Sequence, residues 1–133
     1  DDQGMAAWDK HDPEAFANLM GDNFVWMDST MPELLTTKDQ IQGYMNAWFT
    51  AFPDMRVKQV NRVVGENNWL AAEVEFTGTH QGVMAMGGKE IPPTGKSVKG
   101  KGVYFAHVEN KKIIEFRSFP DAAGLMMQLG LMG

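Results

Sequence analysis

Cysteine is absent from the 133 residues. That excludes disulfides, thiol nucleophiles and cysteine-ligated zinc, while leaving the compartment open. Basic residues are scarce too, 12 against 17 acidic ones, for a net charge of -5. A nucleic-acid partner calls for a basic face, so none is expected. Lys96, Lys99 and Lys101 do lie along one stretch, but no aromatic residue interleaves them to stack a base. No apolar run approaches the roughly 20 residues of a membrane span, so no membrane partner is expected. No signal-peptide pattern is visible. The chain opens on Asp1 rather than methionine, and a cytoplasmic location is the default expectation. Metal-ligand spacings such as HExxH are missing: His11, His80 and His107 fall on separate segments, and no metal is expected.

What is abundant is bulk. Eleven methionines, eight phenylalanines and four tryptophans supply a core, and equally the wall of an adaptable apolar pocket. At this length the chain forms one domain, residues 1–133. It buries roughly two-thirds of the surface its unfolded state exposes, without needing a metal or disulfide staple.

The apolar pattern changes period along the chain. Met5 and Trp8 share one face of a short helix. Asp12, Pro13 and Glu14 then read as N-cap, first helical residue and acid at the positive helix end, and Gly21 as the stop. A strand buried on both faces runs through Phe24, Trp26 and Asp28. Thr37 and Gln40 form a capping box ahead of a helix face made by Ile41, Met45, Trp48 and Phe52, ended by Pro53. From there the period is two. Residues 55–65 form a strand with broken alternation, which predicts a bulge. Residues 69–80 form the clearest strand, with Ala72, Val74, Phe76, Gly78 and His80 on one face. Residues 82–96 read as a long loop, and long loops in compact domains often serve function. Residues 97–108 and 112–119 pair as a hairpin, and Asp121 opens a last helix. Helices ahead of a run of antiparallel strands give an α+β class.

Several motifs carry a resemblance over essentially the whole chain: Gly78-Thr79-His80-Gln81-Gly82, Pro92-Pro93-Thr94-Gly95-Lys96, Lys112-Ile113-Ile114-Glu115 and the run DAAGLMMQLG from Asp121 to Gly130. The segments His11-Asp12-Pro13-Glu14 and Thr37-Lys38-Asp39 fit as well. Together they resemble the SnoaL-like polyketide cyclase family within the nuclear-transport-factor-2-like superfamily. That resemblance implies a strongly curved antiparallel or mixed sheet wrapped by three to four helices, forming a cone with an internal pocket. It also implies cofactor-free acid–base chemistry on a hydrophobic carbonyl compound, an intramolecular aldol closure of a polyketide ester. In the family an Asp just before the last helix is the acid–base catalyst, and Asp121 is the matching position. Members often carry Trp four residues earlier, where this chain has Arg117.

Each candidate has an ordinary structural role beside its chemical one. Asp121 is a catalytic base or a helix N-cap, and the two are compatible. His80 polarises a substrate carbonyl or orients Asp121, or it is a hydrogen-bonded histidine at the sheet edge. Trp26, Trp48, Phe52, Phe76, Tyr104 and the loop pair Met84 and Met86 line a substrate pocket or fill a core. Arg117 binds a substrate oxygen or forms a salt bridge. Asp28 is a pocket acid or, the favoured reading, the exposed end of its strand; His11 is expected in solvent and His107 in a structural role. The functional expectation is a cyclase, lyase or isomerase acting on a hydrophobic small molecule, as a homodimer. The alternative is a non-catalytic small-molecule-binding or dimerisation module of the same fold.

Overall fold

The computed structural model describes residues 2–86 and 89–130. Two short helices, α1 (Asp2–Asp9) and α2 (Pro13–Ala17), lead into strand β1 (Met20–Asp28). Helix α3 (Lys38–Ala51) follows, then β2 (Arg56–Val64), β3 (Trp69–Thr79), the small strands β4 (Met84–Met86) and β5 (Lys89–Ile91), β6 (Ser97–Glu109), β7 (Lys112–Pro120) and α4 (Ala122–Gln128).

Local sequence explains most boundaries. The Asp12 carboxylate accepts from the Ala15 amide at 3.1 Å and starts α2. The expected capping box is present: Thr37 Oγ1 accepts from the Gln40 amide at 3.2 Å, and Gln40 Oε1 accepts from the Thr37 amide at 3.1 Å. A four-residue loop, 65–68, joins β2 to β3, and a two-residue loop, Asn110-Lys111, joins β6 to β7. Asn67, Asn68, Asn110 and Lys111 all have φ between 51° and 65°, the left-handed geometry that matches strand twist in tight hairpins.

Three expectations are corrected. Gly21 is not a helix stop, since α2 ends at Ala17 and Gly21 lies within β1. The Ile113 amide donates to the Leu19 carbonyl at 2.9 Å, drawing the chain into the sheet before Gly21 is reached. The segment 82–96 is not all loop: Met84 and Ala85 pair with Ile91 and Glu90 in a small hairpin. His11 is half-buried rather than solvated. Its ring stacks on Phe49 with centroids 4.2 Å apart, and its Nε2 lies 2.6 Å from the Met55 carbonyl oxygen.

The main sheet has the order β1-β7-β6-β3-β2. Only β1 and β7 run parallel; the other pairs are antiparallel. It is an open, curved sheet. The register of β2 against β3 slips between Gln59 and Asn61, where the alternation had broken, and such a bulge bends its strand. The first residues of β6 extend beyond the end of β7. There the Gln128 side chain replaces a neighbouring strand: Lys99 N–H donates to Oε1 and Nε2 donates to the Lys99 carbonyl, each at 2.8 Å. This fixes α4 against the sheet edge. Gly100 faces Phe76 across the β3–β6 pair, and any Cβ there would collide with the Phe76 ring. Glycine at this position lets that ring lie flat over the inner face. The helices cover this concave face, and the core between them is dominated by aromatic rings.

Candidate functional site

Between helices and sheet lies a cavity of about 100 Å³. Trp8 from α1, Tyr44 and Trp48 from α3, and Trp26, Phe76, Tyr104 and Phe116 from the strands build its walls. The rings meet mostly edge to face: Trp26 lies 5.2 Å from Tyr44 and 5.1 Å from Phe116, at 77° and 84°. Such pairs contribute roughly 0.5–1.5 kcal/mol beyond their buried area, so the wall is well defined.

One carboxylate enters this apolar space. Asp28, the last residue of β1, is 3 % exposed and lines the cavity. Its Oδ2 accepts from the Tyr44 hydroxyl at 2.8 Å and from the Ser118 hydroxyl at 2.5 Å. Its Oδ1 accepts from the Thr30 amide at 2.8 Å and the Thr30 hydroxyl at 2.5 Å. Ser118 in turn accepts from Trp26 Nε1 at 2.8 Å. A buried charge demands such compensation. The expectation of an exposed strand end is therefore wrong for Asp28. Its burial comes from pairing across the chain, because β1 lies parallel to β7 with Asp28 opposite Ser118. The phenol of Tyr44 is held firmly protonated: burial is the main cause and the Asp28 charge adds to it.

Of the expected pocket residues, Trp26, Trp48, Phe76 and Tyr104 line this cavity. The others do not. Phe52 is fully buried behind the wall, packed on Trp48 and Phe76. Met84 lines a separate outer groove beside α3, and the Met86 side chain lies outside the described residues. Arg117 is on the opposite face of the sheet, where Nε and Nη2 each lie 2.6 Å from Glu115 Oε2. Strand parity accounts for this: Phe116 and Ser118 point into the cavity, so their neighbour points away. Glu115 and Phe119 share its parity.

The two expected catalytic groups also lie elsewhere. Asp121 follows Pro120, which lines the cavity, but does not line it itself. Its side chain is exposed, and Oδ1 accepts from the Gly124 amide at 2.8 Å as the N-cap of α4. His80 is fully buried at the end of β3, against Phe52 and outside the cavity. The Thr94 amide donates to His80 Nδ1 at 3.3 Å, which puts the ring proton on Nε2. Among the described residues that Nε2 has no partner of bonding geometry. Burial lowers the pKa of the ring, and the nearby Gly82 backbone only partly offsets this. His107 stacks on Trp69 with centroids 4.7 Å apart, a structural role as expected.

Sequence reasoning missed Tyr44 and Ser118. Tyr44 sits three residues after Ile41 and four before Trp48, spacing that marked the buried face of α3. Ser118 shares strand parity with Phe116. Both signals were available, and neither names a partner for Asp28.

A concave, open sheet covered by helices is the fold of the nuclear-transport-factor-2 and ketosteroid-isomerase-like class of α+β proteins. The sequence pattern of the SnoaL-like polyketide cyclases matches residues 3–129, and the chain belongs to that family. It is 29% identical over 91 residues to the nogalonic acid methyl ester cyclase of Streptomyces nogalater. That alignment covers 68% of this chain and 63% of the cyclase, so the chain spans less than two-thirds of that relative's length. AclR of Streptomyces galilaeus, a proposed hydroxylase, superposes with a TM-score of 0.82 at 22% identity, covering 98% of this chain and 92% of AclR. A Catenulispora acidiphila protein with a ketosteroid isomerase-like fold, solved with trimethylamine, gives 0.78 at 15% identity over 98% of this chain and 91% of its own. These structural likenesses concern the fold. No described helix is long and apolar enough to cross a membrane.

Proposed function

We propose that the protein is a polyketide cyclase-like enzyme that needs no cofactor, with Asp28 as its acid–base group and a hydrophobic ketone or ester as its substrate. The observation that carries this reading is the single carboxylate projecting into an aromatic cavity beside a tyrosine hydroxyl. An acid–base catalyst for a carbon acid needs a partly dry site and a proton-transfer partner within reach. In the proposed sequence Asp28 Oδ2 takes a proton from the carbon next to the substrate carbonyl. The Tyr44 hydroxyl then turns from Oδ2 to donate to the enolate oxygen. Its firm protonation suits it to that role. The enolate carbon attacks a second carbonyl carbon of the same molecule, and the alkoxide recovers the proton from Asp28. One carbon–carbon bond forms and nothing leaves.

Family resemblance favours Asp121 as the acid–base group instead, and one experiment separates the two. Turnover of an aromatic polyketide methyl ester is compared in Asp28→Asn and Asp121→Asn, with thermal melting as the folding control. A loss of at least about a hundredfold in Asp28→Asn, with Asp121→Asn within about twofold, supports this assignment. The reverse pattern moves the chemistry to Asp121. Turnover unchanged in both removes either acid from the mechanism, and turnover absent from the wild type favours the binding-module reading.

We further propose that the protein works as a homodimer paired through the outer sheet face. Val103, Phe105 and Phe119 are exposed there, with the two phenylalanine rings 6.3 Å apart. Apolar surface of this kind marks an association site. Sedimentation of Phe105→Asp as a monomer and of the wild type as a dimer is the expected result; a monomeric wild type overturns it.

A further inference from the structure

The four hydrogen bonds to Asp28 are not alike. Oδ1 is held locally, by the amide and hydroxyl of Thr30 two residues on. Oδ2 is held by side chains from two other elements, Tyr44 of α3 and Ser118 of β7. In the reaction proposed above, Tyr44 leaves Oδ2 for the enolate oxygen. Ser118 has no such freedom. Its Oγ accepts from Trp26 Nε1 at 2.8 Å, and an indole N–H can only donate. The Ser118 hydroxyl proton is thereby turned toward Oδ2, 2.5 Å away. The backbone fixes the arrangement further. Strand β1 pairs in parallel with β7, setting Trp26 opposite Phe116 and Asp28 opposite Ser118. Trp26 and Asp28 share strand parity, so indole, hydroxyl and carboxylate meet on the inner face of two adjacent strands.

We propose that Ser118 is a positioning residue for the acid–base step: aimed by Trp26, it stays on Asp28 Oδ2 throughout and sets the pH at which that oxygen begins to act as a base. When Tyr44 turns away, one lone pair of Oδ2 opens to the hollow, while the Ser118 bond keeps the oxygen in place. Hydrogen bonds to an ionised group are roughly twice as strong as neutral ones. A donor of this kind favours the ionised carboxylate and keeps it a base down to lower pH. Among the described residues, the other titratable side chains that line the hollow are Tyr44, Tyr104 and Lys101. Lys101 is exposed, as is Glu33 in the segment after Asp28. Asp9 of α1 pairs with Arg56, and Arg117, beside Ser118 on β7, pairs with Glu115 on the opposite face. Ser118 thus tunes the acid from inside the sheet without carrying charge itself. This inference rests on the proposed role of Asp28 and adds what adjusts it.

The test is the pH dependence of proton removal, read as deuterium uptake at the methyl group of acetophenone in buffered D2O by NMR. Wild type, Asp28→Asn, Ser118→Ala, Ser118→Thr and Trp26→Phe are compared, each checked for folding by thermal melting. The expected result is that Ser118→Ala moves the onset of catalysed exchange upward by about one pH unit. Trp26→Phe, which removes the indole donor, moves it the same way by less. Ser118→Thr keeps the hydroxyl and restores the wild-type onset. A purely structural role for Ser118 would lower the melting temperature and leave the onset where it was. An unmoved onset in folded Ser118→Ala therefore refutes the positioning role, while Asp28 as the base stands. Should Ser118→Ala fail to fold, an unmoved onset in Trp26→Phe refutes it equally. If the wild type does not catalyse exchange, or if exchange persists in folded Asp28→Asn, the reading of Asp28 fails and the role of Ser118 fails with it.

Discussion

Asp28 and His80 are the two charged or polar side chains that the described part of the chain buries outright, and they sit in opposite surroundings. Asp28 faces a hollow and is held by four hydrogen bonds from three residues. His80 does not line that hollow, and among the described residues its Nε2 has no partner of bonding geometry. Instead it ties strand β3 to the following loop: its amide donates to the Lys96 carbonyl at 2.9 Å, and its carbonyl accepts from the Gly95 amide at 2.8 Å. Burial alone thus does not mark a reacting group. What separates the two is whether the polar atom has both donors to compensate it and empty space to act on.

Substitutions sharpen that contrast. The largest effect after loss of Asp28 itself belongs to Tyr44→Phe, which removes the proposed oxyanion donor. Turnover should fall on the order of a hundredfold, and the loss of one donor to the buried Asp28 carboxylate should lower stability by roughly 1–3 kcal/mol. Next is His80→Asn. It leaves the Thr94 contacts and the Phe52 packing unsatisfied, so stability should drop by roughly 1–3 kcal/mol, read by denaturant unfolding. Turnover by the folded fraction should stay within about twofold. A drop in turnover of tenfold or more at full folding would erase the distinction between the two sites.

The pH dependence follows from the same histidine. Burial holds its folded-state pKa below the ordinary histidine value of 6.5, so the unfolded chain binds the extra proton first. Stability is therefore full above about 6.5 and declines as the pH falls through the folded pKa. Unfolding midpoints between pH 7.5 and 5 should show this decline in the wild type and a shallower one in His80→Asn. Smaller still is the capping effect: Asp121→Ala should cost about 1 kcal/mol. Smallest is Asp9→Asn. Its carboxyl is held down at about 2 by the Arg56 guanidinium and then by the Val57 amide. The pair is largely exposed, and such pairs contribute under about 1 kcal/mol.

These two sites also show how far the sequence could be read. Caps and hairpins are local, so Asp12, Thr37 and Gln40 announced their helices, and period-two alternation placed His80 on the buried face of β3. The aromatic wall was legible for the same reason, through the spacing of Trp26, Trp48, Phe76 and Tyr104. The acid was not. Asp28 reaches Ser118 across 90 positions of chain, and no local pattern tells which strand will lie beside β1. Reading β1 as ending near Ser29 made Asp28 look like a strand terminus in solvent. Arg117 failed differently: its parity was read correctly, but the parity that points inward belongs to Phe116 and Ser118. In the segment 82–96, glycines and prolines hid two three-residue strands too short to set a period.

Hydrogen–deuterium exchange at the methyl group of acetophenone, followed by NMR in D2O, tests the central claim most directly, because it reads proton removal without needing the natural substrate. Asp28 as the base predicts exchange accelerated by the wild-type protein, abolished in Asp28→Asn and preserved in Asp121→Asn. Exchange that persists in a folded Asp28→Asn variant would contradict it.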